Sequence, residues 1–212
     1  MKNLQTKQQI IVTGLKPTGY PHMGNYLGML KPALELGKDK QNKCFYFIPD
    51  YHALNTVQNK DKMHLFLKEV IVTFLALMDE QDHQNIILYQ QSKVPTISQA
   101  MLIIQNLCPK GMMNRAHAYK SMKDKYNGSV DEHVNMGLYN YPILMAADIL
   151  VMGADLVPVG ADQKQHVEYA RDLIDKFNKT YSTQILKRPK AHINHKVATV
   201  SGLDGRKMSK SL

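Results

Sequence analysis

Apolar residues along this chain fall into two periods, and their alternation sets the expected architecture. Gln9 to Thr13 carries Ile10, Ile11 and Val12 in an unbroken run that stops at Gly14, the pattern of a strand buried on both faces. Lys43 to Pro49 (KCFYFIP) and Asn85 to Gln90 (NIILYQ) repeat it. A Pro/Gly-rich turn after the first run leads into a predicted helix from about His22 to Gly37. Between the second and third runs, Met63, Phe66, Leu67, Val70, Phe74, Leu77 and Met78 recur at three- and four-residue spacing, which predicts an amphipathic helix. Strand, helix, strand, helix, strand with short connections predicts an α/β fold, a Rossmann-like doubly wound parallel sheet.

The middle of the chain has a different texture. Pro95 to about Lys123 reads as helical, broken at Pro109-Lys110-Gly111, and Asp124 to Val134 (DKYNGSVDEHV) is polar and turn-rich. A helical insertion at about 93–135 is therefore expected within the α/β scaffold. Leu138 to Met152 reads as an apolar helix, Asp155 to Val159 as a strand and Asp162 to Phe177 as a helix. Val197 to Val200 is the expected final strand. Nothing repeats internally, so residues 1–212 are read as one domain with its insertion.

Composition adds less. The 212 residues carry 27 Lys+Arg against 18 Asp+Glu, a formal charge of +9. That balance suits a polyanionic partner, and equally a solvated basic surface. Cys44 and Cys108 sit in apolar context, which favours buried free thiols in a reducing, cytoplasmic setting over a disulfide. Met1 to Gln9 is polar with no apolar core behind it, so no signal peptide is expected, and no apolar run approaches membrane-spanning length. There are 11 Tyr, 5 Phe and no Trp.

Candidate chemistry lies near the two ends. Gly14, Gly19 and Gly24 permit close backbone approach in the first turn, Pro21 suits a helix start, and His22 and Asn25 fall at i and i+3 on one face. A strand-to-helix turn of this kind offers unpaired N–H groups to phosphate. Lys207-Met208-Ser209-Lys210-Ser211, one residue before the last, places two ammonium groups three residues apart on a loop. Alone, the first segment reads as a helix cap and the second as a solvated loop. As an ordered pair they suit a nucleoside triphosphate, with cations where charge develops on the phosphates. In the apolar segment around Ile143, Tyr141, Met145 and Asp148 share a face at i, i+4 and i+7. A carboxylate there needs a partner. A structural salt bridge or a ligand with a buried donor would serve, and an indole N–H is such a donor.

The two terminal motifs resemble the paired signatures of class I aminoacyl-tRNA synthetases, with His22-Met23-Gly24-Asn25 standing where that family has His-Ile-Gly-His. The segments Tyr141 to Leu150, Asp155 to His166 and Val197 to Arg206 resemble its tryptophanyl branch, and the likeness runs from about residue 10 to 212. The sister tyrosyl enzymes tend to have Gln where Met145 stands. The resemblance implies the family's nucleotide-binding catalytic domain (HUP-type), activation of L-tryptophan by ATP with Mg²⁺, release of pyrophosphate and transfer to tRNA(Trp), within a homodimer. It implies catalytic roles for His22, Asn25, Lys207, Lys210 and Lys120. ATP contacts fall to Lys16, Pro17, Thr18, Gly24, Asn25, Gly160, Ala161, Asp162 and Val200, with Lys207, Met208, Ser209, Lys210 and Ser211 as a loop over the pyrophosphate. The same likeness assigns Asp148 to the indole N–H, Met145 to the ring wall, Tyr141 and Gln163 to the ammonium, and His52 to the carboxylate or ring. Two departures stand out. Asn114 to Lys120 differs from the commoner Thr-Gln-Phe-Lys form, and Ala161 replaces a glutamate of the usual Gly-Glu-Asp-Gln. Family members continue into a helical anticodon-binding domain that this sequence does not include, so anticodon-specific charging by the 212 residues alone is not expected.

Overall fold

A computed structural model describes residues 8–79, 84–126 and 132–193. Its centre is a five-stranded, wholly parallel sheet in the order β3-β2-β1-β4-β5. The strands are β1 (Ile10–Gly14), β2 (Lys43–Ile48), β3 (Ile86–Gln90), β4 (Leu156–Pro158) and β5 (Lys190–His192). β1 aligns Ile10 with Lys43 and Gly14 with Phe47, and β2 aligns Cys44 with Ile86. Strand order reverses direction at β1, so the crevice between the carboxyl ends of β1 and β4 is a topological switch point, where open α/β sheets bind ligands.

Alternate side chains of each strand enter two cores. Ile11, Cys44, Tyr46, Ile48 and Ile86 pack with Leu30, Ala33 and Leu34 and with Val70 and Phe74. The latter groups come from the Met23–Gly37 helical run and from α4 (Lys60–Leu77). Val12, Phe47 and Val157 face the other way, onto α5 (Pro95–Gln105), α6 (Lys110–Asn114), α9 (Tyr141–Val151) and α10 (Lys164–Thr180). The result is the three-layer α/β/α arrangement that the periodicity predicts.

Several details differ from the sequence expectations. The run expected as one helix from His22 to Gly37 is α1 (Met23–Asn25), a π-helical stretch Tyr26–Leu30, and α2 (Lys31–Gly37). Pro32 lacks the N–H that an α-helical bond would use, and a wider turn just before it relieves the mismatch. The Leu138–Met152 segment divides at Asn140 into α8 (Met136–Tyr139) and α9, with Pro142 in the first turn of the second helix. α10 begins at Lys164 behind a 3₁₀ turn, Ala161–Gln163. β5 was not foreseen: Lys-Ala-His has no apolar run, and it becomes a strand by pairing Leu156 with Lys190 and Pro158 with His192. Cys44 is buried as expected, Cys108 only half-buried, and both thiols are free. The expected strand Val197–Val200 lies outside the described residues. Among those residues no helix is long and apolar enough to cross a membrane.

Candidate active site

A cavity of about 430 Å³ opens at the switch point. Its walls are the carboxyl ends of the strands: Val12 to Leu15 at the end of β1, Phe47 and Pro49 at the end of β2, and Val157 to Gly160 at the end of β4. Thr13 pins the crevice from inside by donating its hydroxyl to the Pro158 carbonyl at 2.9 Å. Gly14 is required where β1 leaves the sheet, because a Cβ there would lie 2.7 Å from the Phe47 carbonyl oxygen and 2.9 Å from its ring. Gly19, at φ 149°, turns the loop that follows.

On the side of the β1 turn, Lys16, Thr18, His22 and Asn25 line the cavity. Asn25 fixes the turn by accepting from the His22 N–H through its side chain at 3.2 Å. Lys16 is exposed at the mouth, with Nζ 5.3 Å from the Tyr141 ring centroid. Desolvation of its ammonium lowers the Lys16 pKa, opposed by the negative charge of Asp162. Gly160 and Asp162 line the opposite wall.

The deep end is aromatic with a carboxylate at its floor. Tyr141, Met145 and Asp148 face the cavity from α9, as the i, i+4, i+7 spacing predicts. Asp148 is 1% exposed. Its Oδ2 lies 2.9 Å from Nε2 of His52, and its Oδ1 accepts from the Gln91 amide at 2.7 Å. Burial raises the Asp148 pKa, while the hydrogen bonds and charge of His52 and the donor of Gln91 oppose the rise. The Tyr141 hydroxyl donates to Gln163 Oε1 at 3.4 Å, and that oxygen lies 2.8 Å from His166 Nδ1. A phenol that donates its proton keeps acceptor capacity toward a ligand. Burial, and secondarily the charges of Asp148 and Asp162, push the Tyr141 pKa up, so the hydroxyl stays neutral.

Of the residues expected from sequence, Lys16, Thr18, His22, Asn25, His52, Tyr141, Met145, Asp148, Gly160, Asp162 and Gln163 meet at this one cavity. Pro17 and Gly24 shape the turn and are not among its lining residues. Lys120 is exposed on α7 (His117–Lys125) and does not line the cavity. Ala161 sits in the 3₁₀ turn beside Asp162. Val200, Lys207, Met208, Ser209, Lys210 and Ser211 lie outside the described residues. His52 lines the cavity and meets Asp148 itself. Gln91 and His166 were missed, since a lone Gln after a strand and a His on an amphipathic helix carry no local signal. No group of three or more His, Cys, Asp or Glu side chains that could hold a metal occurs among the described residues.

Comparison with known proteins agrees with this fold. A family profile described as tRNA synthetases class I (W and Y) matches residues 4–212. Tryptophan–tRNA ligase of Xylella fastidiosa is 43% identical over 204 residues, and that of Pseudomonas aeruginosa 43% over 206. Each match takes in 95% of this chain and 46% of the relative, so the chain spans about half the length of the curated relatives it matches. The solved structure of Campylobacter jejuni tryptophanyl-tRNA synthetase complexed with ADP and tryptophan superposes with a TM-score of 0.82 at 38% identity, covering 95% of this chain and 60% of that one. A tyrosyl-tRNA synthetase from Aeropyrum pernix shares the fold at 19% identity, with a TM-score of 0.74 and coverage of 96% and 57%.

Proposed function

The chain belongs to the class I tRNA synthetases of the tryptophan and tyrosine family, and from that premise we propose that it carries the catalytic portion of a tryptophan–tRNA ligase. In this reading Mg²⁺–ATP and L-tryptophan are co-substrates. A tryptophan carboxylate oxygen attacks the α-phosphorus, the bond to the bridging oxygen breaks, and pyrophosphate leaves with the electron pair. A terminal ribose hydroxyl of tRNA(Trp) then attacks the carbonyl of the tryptophanyl-adenylate, the ester forms, and AMP leaves with the electron pair of the broken acyl–oxygen bond. Such a step depends on positioning and on charge stabilisation. Lys16, His22 and Asn25 are suited to the phosphates at the cavity mouth, with Lys207 and Lys210 joining them from the C-terminal motif. Gly160 and Asp162 suit the ribose side.

The observation that carries the reading is the deep end of the cavity. An aromatic slot closed by Met145 and floored by a buried carboxylate fits a flat ring with one N–H. Each Asp148 oxygen already takes one protein hydrogen bond, and a carboxylate has about four lone-pair sites, so an indole donor is accommodated. The Tyr141 oxygen is suited to accept from the α-ammonium. Met145 supplies a polarizable wall, which suits an indole face. The relatives that share more of the sequence are tryptophan enzymes, which supports the same choice over tyrosine. ATP–pyrophosphate exchange with single amino acids tests it. Exchange that depends on tryptophan is expected; exchange with tyrosine and none with tryptophan overturns the assignment.

Two further parts of the reading are structural. Residues 93–135 are taken as the connective insertion, and its exposed Leu102 and Ile103 on α5 as part of a homodimer contact. A sedimentation measurement giving a monomer at micromolar concentration would refute the dimer. The free thiols and the translation substrates support a cytoplasmic setting.

A further inference from the structure

Directly behind the cavity floor, against Asp148, lies a residue that the function above does not use. Gln91 is 0% exposed, in the 3₁₀ turn Gln91–Lys93 directly after β3. Its Oε1 accepts from the Tyr51 backbone N–H at 3.1 Å, and its Nε2 donates to Asp148 Oδ1 at 2.7 Å. The amide is therefore orientated. Turning it over would set its NH₂ against a backbone N–H and its oxygen against a carboxylate, with no water to compensate either loss. The flanking residues hold the same joint: Gln90 donates to Asp50 Oδ2 at 2.7 Å, and the Ser92 N–H to Asp50 Oδ1 at 3.0 Å. Asp50, Tyr51 and His52 all belong to α3 (Asp50–Ala53), so β3 and α3 are clamped together and both reach Asp148.

The clamp restricts where a proton can sit. Because Gln91 donates to Oδ1, any proton on Asp148 must sit on Oδ2, facing His52. His52 Nδ1 is buried and has no hydrogen-bond partner among the described residues. A proton on Nδ1 would leave a buried N–H unsatisfied, which is expensive. The arrangement that leaves no orphan donor has the ring proton on Nε2, given to Asp148 Oδ2. Two donors then converge on the carboxylate, one on each oxygen, and both favour its ionised form against the opposing effect of burial. The buried Tyr89 hydroxyl nearby also finds no hydrogen-bond partner among the described residues, and its pKa is raised by burial and then by the Asp148 charge.

We propose that Gln91 is a positioning residue for ring recognition: its fixed amide holds Asp148 as an acceptor-only carboxylate, so the site selects an aromatic ring that presents an N–H. This rests on the assignment of Asp148 to the indole given above. Gln91 does not touch the substrate; it acts through Asp148.

The test uses the purified chain. It contains no Trp, so the emission of bound L-tryptophan, excited beyond the tyrosine band, reports binding directly. The paired probe is 1-methyl-L-tryptophan, which has no indole N–H. Wild type should prefer tryptophan by about ten- to a hundredfold, the span of a hydrogen bond to a charged group, and lose tryptophan as pH falls and Asp148 takes a proton. Gln91→Leu should cut that preference to a few-fold and move the acidic loss to higher pH. Gln91→Glu keeps the acceptor for Tyr51 and the side-chain volume, but it donates to Asp148 only when protonated. Its tryptophan binding should therefore weaken as pH rises, opposite in slope to wild type. While a single proton is shared with Asp148, this variant retains both hydrogen bonds of the glutamine and supplies the folded reference if the leucine variant does not fold. A purely structural role predicts equal weakening for both probes with an unmoved pH profile, and that result overturns the proposal. Wild type binding both probes equally would overturn the Asp148 assignment instead.

Discussion

His166 shows at the scale of one residue how burial sets a charge state. It is 2% exposed, and its Nδ1 donates to Gln163 while Nε2 meets no partner among the described residues. Desolvation pulls its pKa down to about 4 from 6.5, with Asp162 opposing and His117, His52 and Lys16 adding to the fall. The folded state therefore binds the proton more weakly than the unfolded chain. The resulting stability is fully present above pH 6.5 and is lost as pH falls through about 4. At 1.36 kcal/mol per pKa unit the contribution is roughly 3 kcal/mol. Replacing His166 by Gln should flatten the slope of unfolding free energy between pH 4 and 6.5, as read by urea titration at each pH. An unchanged slope would show that another group controls it. The sequence did not reveal this histidine. Tyr141, Met145 and Asp148 were legible because helical spacing alone places them on one face. His52, Gln91 and His166 come from other elements, and only packing brings them to that face.

Among the elements, α4 is the most directly written in the sequence and also the easiest to test. Asn59 caps it, accepting from the Lys62 N–H at 2.9 Å, and Val70 and Phe74 bury its inner face. Its outer face carries Leu65, Val72 and Leu75, all exposed, so apolar character alone overstates how much of the helix is core. Asn59→Ala removes the cap and should lower stability by about 1 kcal/mol, read by thermal or chemical unfolding. No effect would mean that solvent replaces the cap. β5 is the opposite case. Its three residues have no strand signature, and the edge of β4 recruits them. The π-helical stretch before Pro32 belongs between these extremes: the proline announces a break, but not the wider turn that accommodates it.

For the molecule as a whole, the core on the α9–α10 side joins nearly everything that matters to the cavity. Val12 of β1, Phe47 of β2, Ile97 of α5, Ile149 of α9, Val157 of β4 and Leu173 of α10 belong to one cluster. A hole there should loosen the sheet and the site together. Leu173, fully buried, is a suitable probe: Leu173→Ala should cost about 2–5 kcal/mol, measured by denaturant unfolding, and should weaken tryptophan binding along with stability. Retained stability would mean that the helices collapse into the space. The sequence by itself determined the α/β alternation, the parallel sheet and the turn at His22, because strand and helix periods and turn chemistry are local. It also determined the face that carries Asp148. The tertiary structure alone decided what Asp148 meets within the protein, His52 on one oxygen and the Gln91 amide on the other. The same carboxylate would be a salt-bridge partner or a ligand acceptor by pattern. Where its two oxygens point depends on a strand end and a short helix tens of residues away, and long-range packing sets those distances.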